Sequence, residues 1–349
     1  MSGGVDSSVA AALLKGRGYQ VIGLTMRLYD APEGEESGCC SPEDIYDARA
    51  VADHLGIPFY VINFKAQFKR DVMEYFVNSY LSGRTPNPCV LCNAKLKFEL
   101  LLRRARELQA QYLATGHYAR VEFCSARGCF VLKKARDLSR DQSYFLFTMT
   151  QEQLSRCLFP LGGLTKDEVR KMAKGLGLKV ADKPDSQEVC FVPGGDYAEF
   201  IRQRLNGSIP HAGEIVDRQG NILGVHQGVY AYTVGQRRGL NIGSKERYFV
   251  LGIDAGKNRV IVGKEEELYS PSLIASGVNW TSGPPEGKIM AEVRIRYRHR
   301  GAEAVITPQG DGKVKVDFSI PQKSITPGQA VVFYRGDEVL GGGWIETSL

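Results

Sequence analysis

The chain has 349 residues, 43% hydrophobic and 24% charged, with 45 basic against 39 acidic side chains and a formal charge of +6. Its length points to two or three domains and its apolar fraction to real cores, which excludes a disordered chain. No apolar run reaches the ~20 residues of a membrane span and no signal-peptide core follows Met1, so the expectation is a cytoplasmic protein with no membrane partner.

Ser2-Gly-Gly-Val-Asp-Ser-Ser8 opens the chain and falls straight into a helical run over 7–16. Two adjacent glycines cost conformational entropy, and their bare backbone before a helix lets successive N–H groups converge on a phosphate. Asp6 and Ser7 are also ordinary capping residues, so these residues alone leave both readings open. Gln20–Met26 is a continuous apolar strand of the kind buried on both faces. A helix is expected over 43–55, where Ile45, Ala48, Val51, Ala52 and Leu55 keep helical spacing, then a strand at Phe59–Phe64. Helices are expected at 67–82 and 94–109, with a Pro-rich loop between them and a strand at Tyr112–Thr115 behind. This alternation predicts an α/β domain with a parallel sheet, whose ligands sit at the carboxyl ends of the strands. Such a sheet ordinarily has a strand ahead of its phosphate loop, and here only Met1 precedes it. The expectation is a natural start upstream, or a sheet lacking its usual central strand.

Beyond about residue 210 the pattern turns to short β segments: 213–217, 228–233, 248–254 and 259–263. Proline-rich punctuation at 270–272 and 283–285 introduces further strands to the end. The predicted architecture is a nucleotide-type α/β domain at 1–196, a small β-rich connector at 197–268 and a C-terminal β-barrel at 269–349. In Glu292–Arg300, strand alternation predicts Arg294, Arg296, Arg298 and Arg300 on one face and Val293, Ile295 and Tyr297 on the other. That stripe suits the phosphates of RNA, although charge also blunts ordinary sheet edges.

The cysteines stand at 39, 40, 89, 92, 124, 129, 157 and 190. In a reducing compartment they read as redox, metal or catalytic groups rather than staples. Thr85-Pro-Asn-Pro88 forces an extended loop, and Cys89 and Cys92 follow as a CxxC at an expected helix N-terminus, where the dipole favours thiolate. Half of a zinc site is the alternative, but no second CxxC or HxxxH completes one. Cys190 sits between polar Asp185–Glu188 and apolar Phe191-Val192, where a lone cysteine is ordinarily just buried. Cys39, Cys40, Cys124, Cys129 and Cys157 show no partner spacing and read as packing or surface thiols.

The opening loop lacks the Gly-Lys-Ser/Thr of a Walker P-loop. It resembles the pyrophosphate loop of the PP-loop ATP pyrophosphatases, which split ATP between its α and β phosphates. The wider series is SGGVDSS, TPNPCVLCN (85–93), ATGHY (114–118), RDQSYFL (140–146), DSQEVCF (185–191), TVGQRRGLNIG (233–243), TPGQAVVFY (326–334) and LGGGWI (340–345). In order and spacing it resembles the tRNA-specific 2-thiouridylases (the MnmA family) along essentially the whole chain.

The resemblance implies ATP, with Mg2+, bound by Ser2, Gly3, Gly4, Val5, Asp6, Ser7 and Ser8, with Met26 and Gly116 near the adenosine. It implies adenylation of the 2-oxygen of a wobble uridine in the anticodon stem-loop of tRNA. Cys190 then carries a persulfide sulfur from a relay protein or cysteine desulfurase, and Cys92 is the second nucleophile. It places Asn87, Pro88 and Cys89 at the target base, and His117, Arg140, Asp141, Gln142, Arg296, Tyr297 and Gln329 at the tRNA, on a monomeric enzyme. Many members carry aspartate where this chain has Cys89. Cys89, Cys92 and Cys190 could instead ligate a [4Fe-4S] cluster with one open iron, as in other tRNA thiolation enzymes of the superfamily. A small-molecule adenylating synthetase or amidotransferase, and a tRNA-binding protein without chemistry, are the competing functional readings.

Overall fold

A computed structural model describes residues 1–30, 42–184, 188–205, 211–244 and 246–349. Two compact units divide the chain. One comprises Met1–Val72, Cys89–Gly195 and Asp337–Val339; the other comprises Met73–Pro88, Asp196–Gly336 and Leu340–Leu349.

In the first unit, α1 (Val5–Gly16) leads to β1 (Gly23–Arg27), α2 (Pro42–Leu55) and β2 (Phe59–Asn63). β1 and β2 pair in parallel, Gly23 opposite Phe59 through Arg27 opposite Asn63. A second parallel pair joins β3 (Leu113–Ala114) to β6 (Cys157–Leu158). Met1 lies against β1, its carbonyl accepting from the Thr25 hydroxyl at 2.7 Å. The apolar face of α1 (Val5, Val9, Ala10) is buried with Tyr118 and Leu161, and with Val169 and Ala173 of α8 (Lys166–Gly175), the helix that follows α7 (Gln151–Ser155). The parallel α/β domain predicted from the alternating periods is therefore present. The antiparallel hairpin β4 (Ala119–Cys124) and β5 (Cys129–Lys134) was not foreseen.

Two expected helices keep their places with altered geometry. The first runs as α3 (Lys65–Phe68), a π-helical turn π1 (Lys69–Met73) and α4 (Glu74–Leu81). The second begins earlier than its periodicity predicts, as α5 (Pro88–Leu91), then π2 (Cys92–Leu101) and α6 (Leu102–Glu107). Proline is favoured at the first helical position, where its missing N–H costs nothing, so Pro88 starts the helix rather than ending the loop. Cys89, not Cys92, consequently occupies the first turn. The dipole effect fades within that turn, so the thiolate argument made for the CxxC applies to Cys89 alone.

In the second unit, β8 (Ile222–His226), β7 (Gly213–Val216), β10 (Arg259–Gly263) and β9 (Phe249–Asp254) form one sheet in that order. The strand expected at 228–233 is instead a 3-10 turn, Val229–Ala231, whose Val229 plugs the sheet core beside Ile215, Val250 and Val260. The barrel strands are β11 (Tyr269–Trp280), β12 (Ile289–Arg294), β13 (Ala302–Gly310), β14 (Lys313–Lys323), β15 (Ala330–Arg335) and β16 (Glu338–Ser348). Their order is β11-β14-β13-β12-β15-β16, and β11 pairing with β16 closes the ring. Leu273/Ala275, Ala304/Ile306, Val314/Val316 and Val331/Phe333 alternate into its core, as a period of two demands.

The arginine stripe needs correction. β12 ends at Arg294, and 295–298 bend out of the ladder. Arg294 spends its charge on Glu292, 3.1 Å away, and on the face of Tyr334, 4.8 Å from the ring centre. Arg296, Arg298 and Arg300 remain exposed while Ile295 stays buried, so the alternation outlasts the strand.

Candidate active site

Glycine is obligatory at two points of the opening loop. Gly3 has φ +69°, and a Cβ there would stand 2.3 Å from the Asp44 carbonyl oxygen. A Cβ on Gly116 would stand 2.8 Å from the Asp6 carbonyl carbon and the Ser7 nitrogen. The ATGHY segment thus packs directly on the first turn of α1, bringing two of the predicted nucleotide-binding stretches together. Ser7 and Ser8 point their hydroxyls back to the Gly4 carbonyl at 3.2 and 2.9 Å, and the Ser2 N–H donates to Ser7 Oγ at 3.0 Å. These bonds hold the loop as a collar at a helix N-terminus, the geometry that receives anions. Met26 lies in β1 opposite Ile62, near the carboxyl end of the strand.

Asp6 does not stand alone. Lys166 Nζ lies 2.8 and 2.9 Å from its two carboxylate oxygens, and the Tyr118 hydroxyl donates to Oδ1 at 2.8 Å. Lys166 is buried, and its backbone is set by a reciprocal cap: Thr165 accepts from the Glu168 N–H while Glu168 accepts from the Thr165 N–H. Sequence reasoning missed Lys166 and Tyr118. The Thr165-x-x-Glu168 capping pattern was legible, but nothing in the sequence joins it to Asp6. The Asp44 carboxylate, beside the loop, is held with Asp47 by Lys183, at 2.8 and 2.6 Å.

His117 is buried between Thr115 Oγ1, 2.7 Å from Nδ1, and Lys97 Nζ, 3.4 Å from Nε2. Burial, and then the Lys97 charge, hold its pKa well below the ordinary value, so the ring is neutral at pH 7. An ammonium facing Nε2 leaves the proton on Nδ1, which donates to Thr115. Lys97 was also missed; it lies on π2, five residues beyond Cys92.

Cys190 is half-buried, and its carbonyl accepts a hydrogen bond from the Tyr29 hydroxyl. Its neighbour Phe191 is buried edge-on against Phe68 (centroids 5.5 Å), which itself stacks on Tyr29. The apolar residues after Cys190 are thus an anchor that fixes the cysteine loop to the chain leaving β1. Residues 185–187 of its motif lie outside the described residues. Cys92 is half-buried, Cys89 exposed and Val90 fully buried.

Several of the predicted tRNA residues are committed to internal bonds. Asp141 accepts from the Ala135 and Ser143 N–H groups and the Ser143 hydroxyl at 3.1, 3.2 and 2.9 Å. Gln142 accepts from the Tyr118 N–H at 3.0 Å, while Arg140 beside it is half-buried. In the second unit, Gln329 donates to the Thr85 and Pro86 carbonyls at 3.2 and 3.0 Å, and the Thr85 N–H donates to Pro327 at 2.9 Å. The TPGQ turn therefore carries the TPNP loop, within which Asn87 and Pro88 are buried. Arg296 donates to the Lys323 carbonyl at 3.2 Å, beside half-buried Tyr297.

The iron–sulfur shell expected of Cys89, Cys92 and Cys190 is not assembled among the described residues. Among the described residues no group of three or more His, Cys, Asp or Glu side chains could hold a metal ion, and Cys89, Cys92 and Cys190 are all described. Nor is any of the described cysteines in a disulfide. No helix among the described residues is long and apolar enough to cross a membrane.

Residues 1–194 match the tRNA methyl transferase HUP domain family, 198–264 the tRNA methyl transferase PRC-barrel domain and 270–345 the aminomethyltransferase β-barrel domain. The chain is 55% identical to the tRNA-specific 2-thiouridylase MnmA of Geobacter metallireducens, covering 100% of this chain and 96% of that one. It is 56% identical to the protein of the same name from Geotalea uraniireducens, covering 100% and 94%. Among solved structures, the U34-tRNA thiolase NcsA from Methanococcus maripaludis with its [4Fe-4S] cluster gives a TM-score of 0.34 at 21% identity. That match covers 60% of this chain and 65% of that one and carries no argument about the site. With relatives more than half identical along its whole length and the fold of their domains, the chain belongs to the tRNA-specific 2-thiouridylase family.

Proposed function

We propose that the protein is a transferase that thiolates the 2-position of the wobble uridine of tRNA, using ATP. The opening loop receives the triphosphate, and the uridine 2-oxygen attacks the α-phosphorus, releasing pyrophosphate. That exchange matters because a carbonyl oxygen is a poor leaving group, whereas AMP is a good one. The terminal sulfur of a Cys190 persulfide attacks carbon 2 and expels AMP. The Cys92 thiolate then attacks the Cys190 sulfur, leaving sulfur on the base and a Cys92–Cys190 disulfide for an external reductant. A persulfide relay protein or a cysteine desulfurase supplies the sulfur. Magnesium arrives on the nucleotide phosphates, since the described residues gather no ligand group of their own. Arg296, Arg298 and Arg300, exposed beyond β12, with Arg140 and the 87–89 loop, are the proposed RNA contacts. The proposed division of labour is ATP and catalysis at 1–196, a connector at 197–268 and tRNA contact at 269–349.

The observation that carries this reading is the attachment of the Cys190 loop, through Tyr29 and Phe191, to the carboxyl end of β1. There a nucleophile meets the ligand of a parallel sheet. The test is thiolation of unmodified tRNA with a persulfide donor. Cys190→Ser and Cys92→Ser are expected to abolish product, while Cys92→Ser still releases pyrophosphate in the presence of tRNA. Retained thiolation in both variants overturns the assignment.

A further inference from the structure

Outside the proposed site, the structure pairs two cysteines that the sequence leaves as isolated surface thiols. Cys124 ends β4 and Cys129 begins β5, and they are directly opposed as the last pair of the hairpin ladder. Directly opposed residues of an antiparallel pair have Cα atoms about 4.5–5.5 Å apart, inside the ~4.4–6.8 Å window of a disulfide. The loop between them is tight: the Arg127 N–H donates to the Cys124 carbonyl at 3.1 Å, and Gly128 takes φ +63°. Both thiols are half-buried, open to a small oxidant without being loose.

The loop also supplies an activating cation. Arg127 Nε points at Cys124 Sγ, 3.5 Å away, while its two terminal nitrogens grip the Glu338 carboxylate at 2.7 Å each. The fork is thus locked in place with its Nε–H turned toward the sulfur. It draws the Cys124 thiol below its ordinary range, in contrast to Cys157, which burial pushes up to about 12.

We propose that Cys124 and Cys129 form a peroxide-oxidisable dithiol, distinct from the thiols of the thiolation site, that closes to an intramolecular disulfide. The Cys124 thiolate attacks hydrogen peroxide, breaking the O–O bond, to give a sulfenic acid and hydroxide. The Cys129 thiol attacks that sulfur, forming the S–S bond and releasing water as its proton is lost. Both sulfurs are oxidised, and one peroxide is reduced to two waters once the hydroxide is protonated. Arg127 is a positioning residue: it selects Cys124 as the attacking sulfur.

The experiment treats the reduced full-length protein with hydrogen peroxide, quenches with an alkylating reagent and maps peptides without reduction. Cleavage after Arg127 is expected to yield two peptides joined through Cys124 and Cys129. Cys129→Ser should stop at a sulfenic acid on Cys124, trapped by a dimedone probe, whereas Cys124→Ser should give little sulfenic acid at Cys129. Arg127→Gln should slow Cys124 alkylation several-fold at neutral pH and leave a smaller difference at high pH, where the thiol ionises unaided. Glu338→Gln, which retains the guanidinium, should slow it less. Both thiols still alkylated when Cys92 or Cys190 has been oxidised would overturn the proposal. So would a Cys124 bridge to another residue or chain.

Discussion

Lys166 and Asp6, 160 positions apart in the chain, form a two-pronged ion pair at the first turn of α1, with Nζ 2.8 and 2.9 Å from the carboxylate oxygens. Lys166 is nearly sealed from solvent (8% exposed side chain) while Asp6 keeps an open side at 31%. The pair ties α8 to the opening loop and orients the carboxylate. Removing one partner of such a pair leaves a charge poorly solvated. Lys166→Met should therefore cost about 1–3 kcal/mol of stability, toward the lower end because Asp6 reaches water. Chemical denaturation measures this, and the variant's ATP-dependent pyrophosphate release should fall beyond what the unfolded fraction explains. An unchanged midpoint and unchanged release would make the pair a bystander.

Gly116 tests whether the loop's position matters. An added methyl at 116 runs into Asp6 and Ser7 backbone that cannot step aside, whereas Gly163, with open space around its Cβ position, is a matched control. Gly116→Ala should lower tRNA-dependent pyrophosphate release by about 10²-fold, the scale on which an ångström of misplacement acts. Gly163→Ala should leave it unaltered. Equal activity in the two variants would show that the first turn of α1 tolerates displacement.

His117 makes a prediction about pH. Burial first, then Lys97, lowers its pKa well below the ordinary value of 6.5, so the unfolded chain takes up a proton that the folded protein refuses. The sign follows: its contribution to stability is complete above pH 6.5 and is lost as pH falls from there through the lower folded-state value. Unfolding curves for the protein and for His117→Gln should converge in slope above pH 6.5 and separate below it, the variant losing less on acidification. Lys97→Met, which removes the like charge, should raise the histidine pKa as followed by NMR. A histidine titrating at its ordinary value would contradict the burial argument.

How much of this was legible beforehand depends on whether local chemistry or distant packing decides. The glycine-led start of α1 was readable because it is a local signal before a helical run, and the barrel because its alternation is strict. Helix starts near proline were misjudged: Pro88 reads as a loop residue but is favoured as the first residue of a helix. The arginine stripe failed because alternation records exposure, which persists to Arg300, and not the ladder, which stops at Arg294. Lys166, Tyr118, Lys97 and Tyr29 were invisible because each earns its place through a partner remote in sequence. Cys124 and Cys129 have no motif spacing; only the hairpin register opposes them.

Cys89 gives the last prediction, because the family resemblance implies an aspartate at the position where this chain has a thiol. On the two-thiol pathway Cys89 carries no sulfur, so the three thiols should not be equivalent in function. Cys89→Ala should retain most thiolation with a persulfide donor, and anaerobically purified protein should thiolate without added iron. Turnover without reductant should stop after about one cycle, leaving Cys92 and Cys190 joined in a disulfide that peptide mapping identifies and a dithiol reverses. Cys89 exposed on the first helical turn, ahead of buried Val90, has the accessibility to touch the base without carrying sulfur. Cys89→Asp should then raise the rate of the tRNA-dependent step while leaving the trapped disulfide unchanged. If Cys89→Ala instead removes all thiolation together with bound iron, the two-thiol pathway fails and the thiols act as a ligand set.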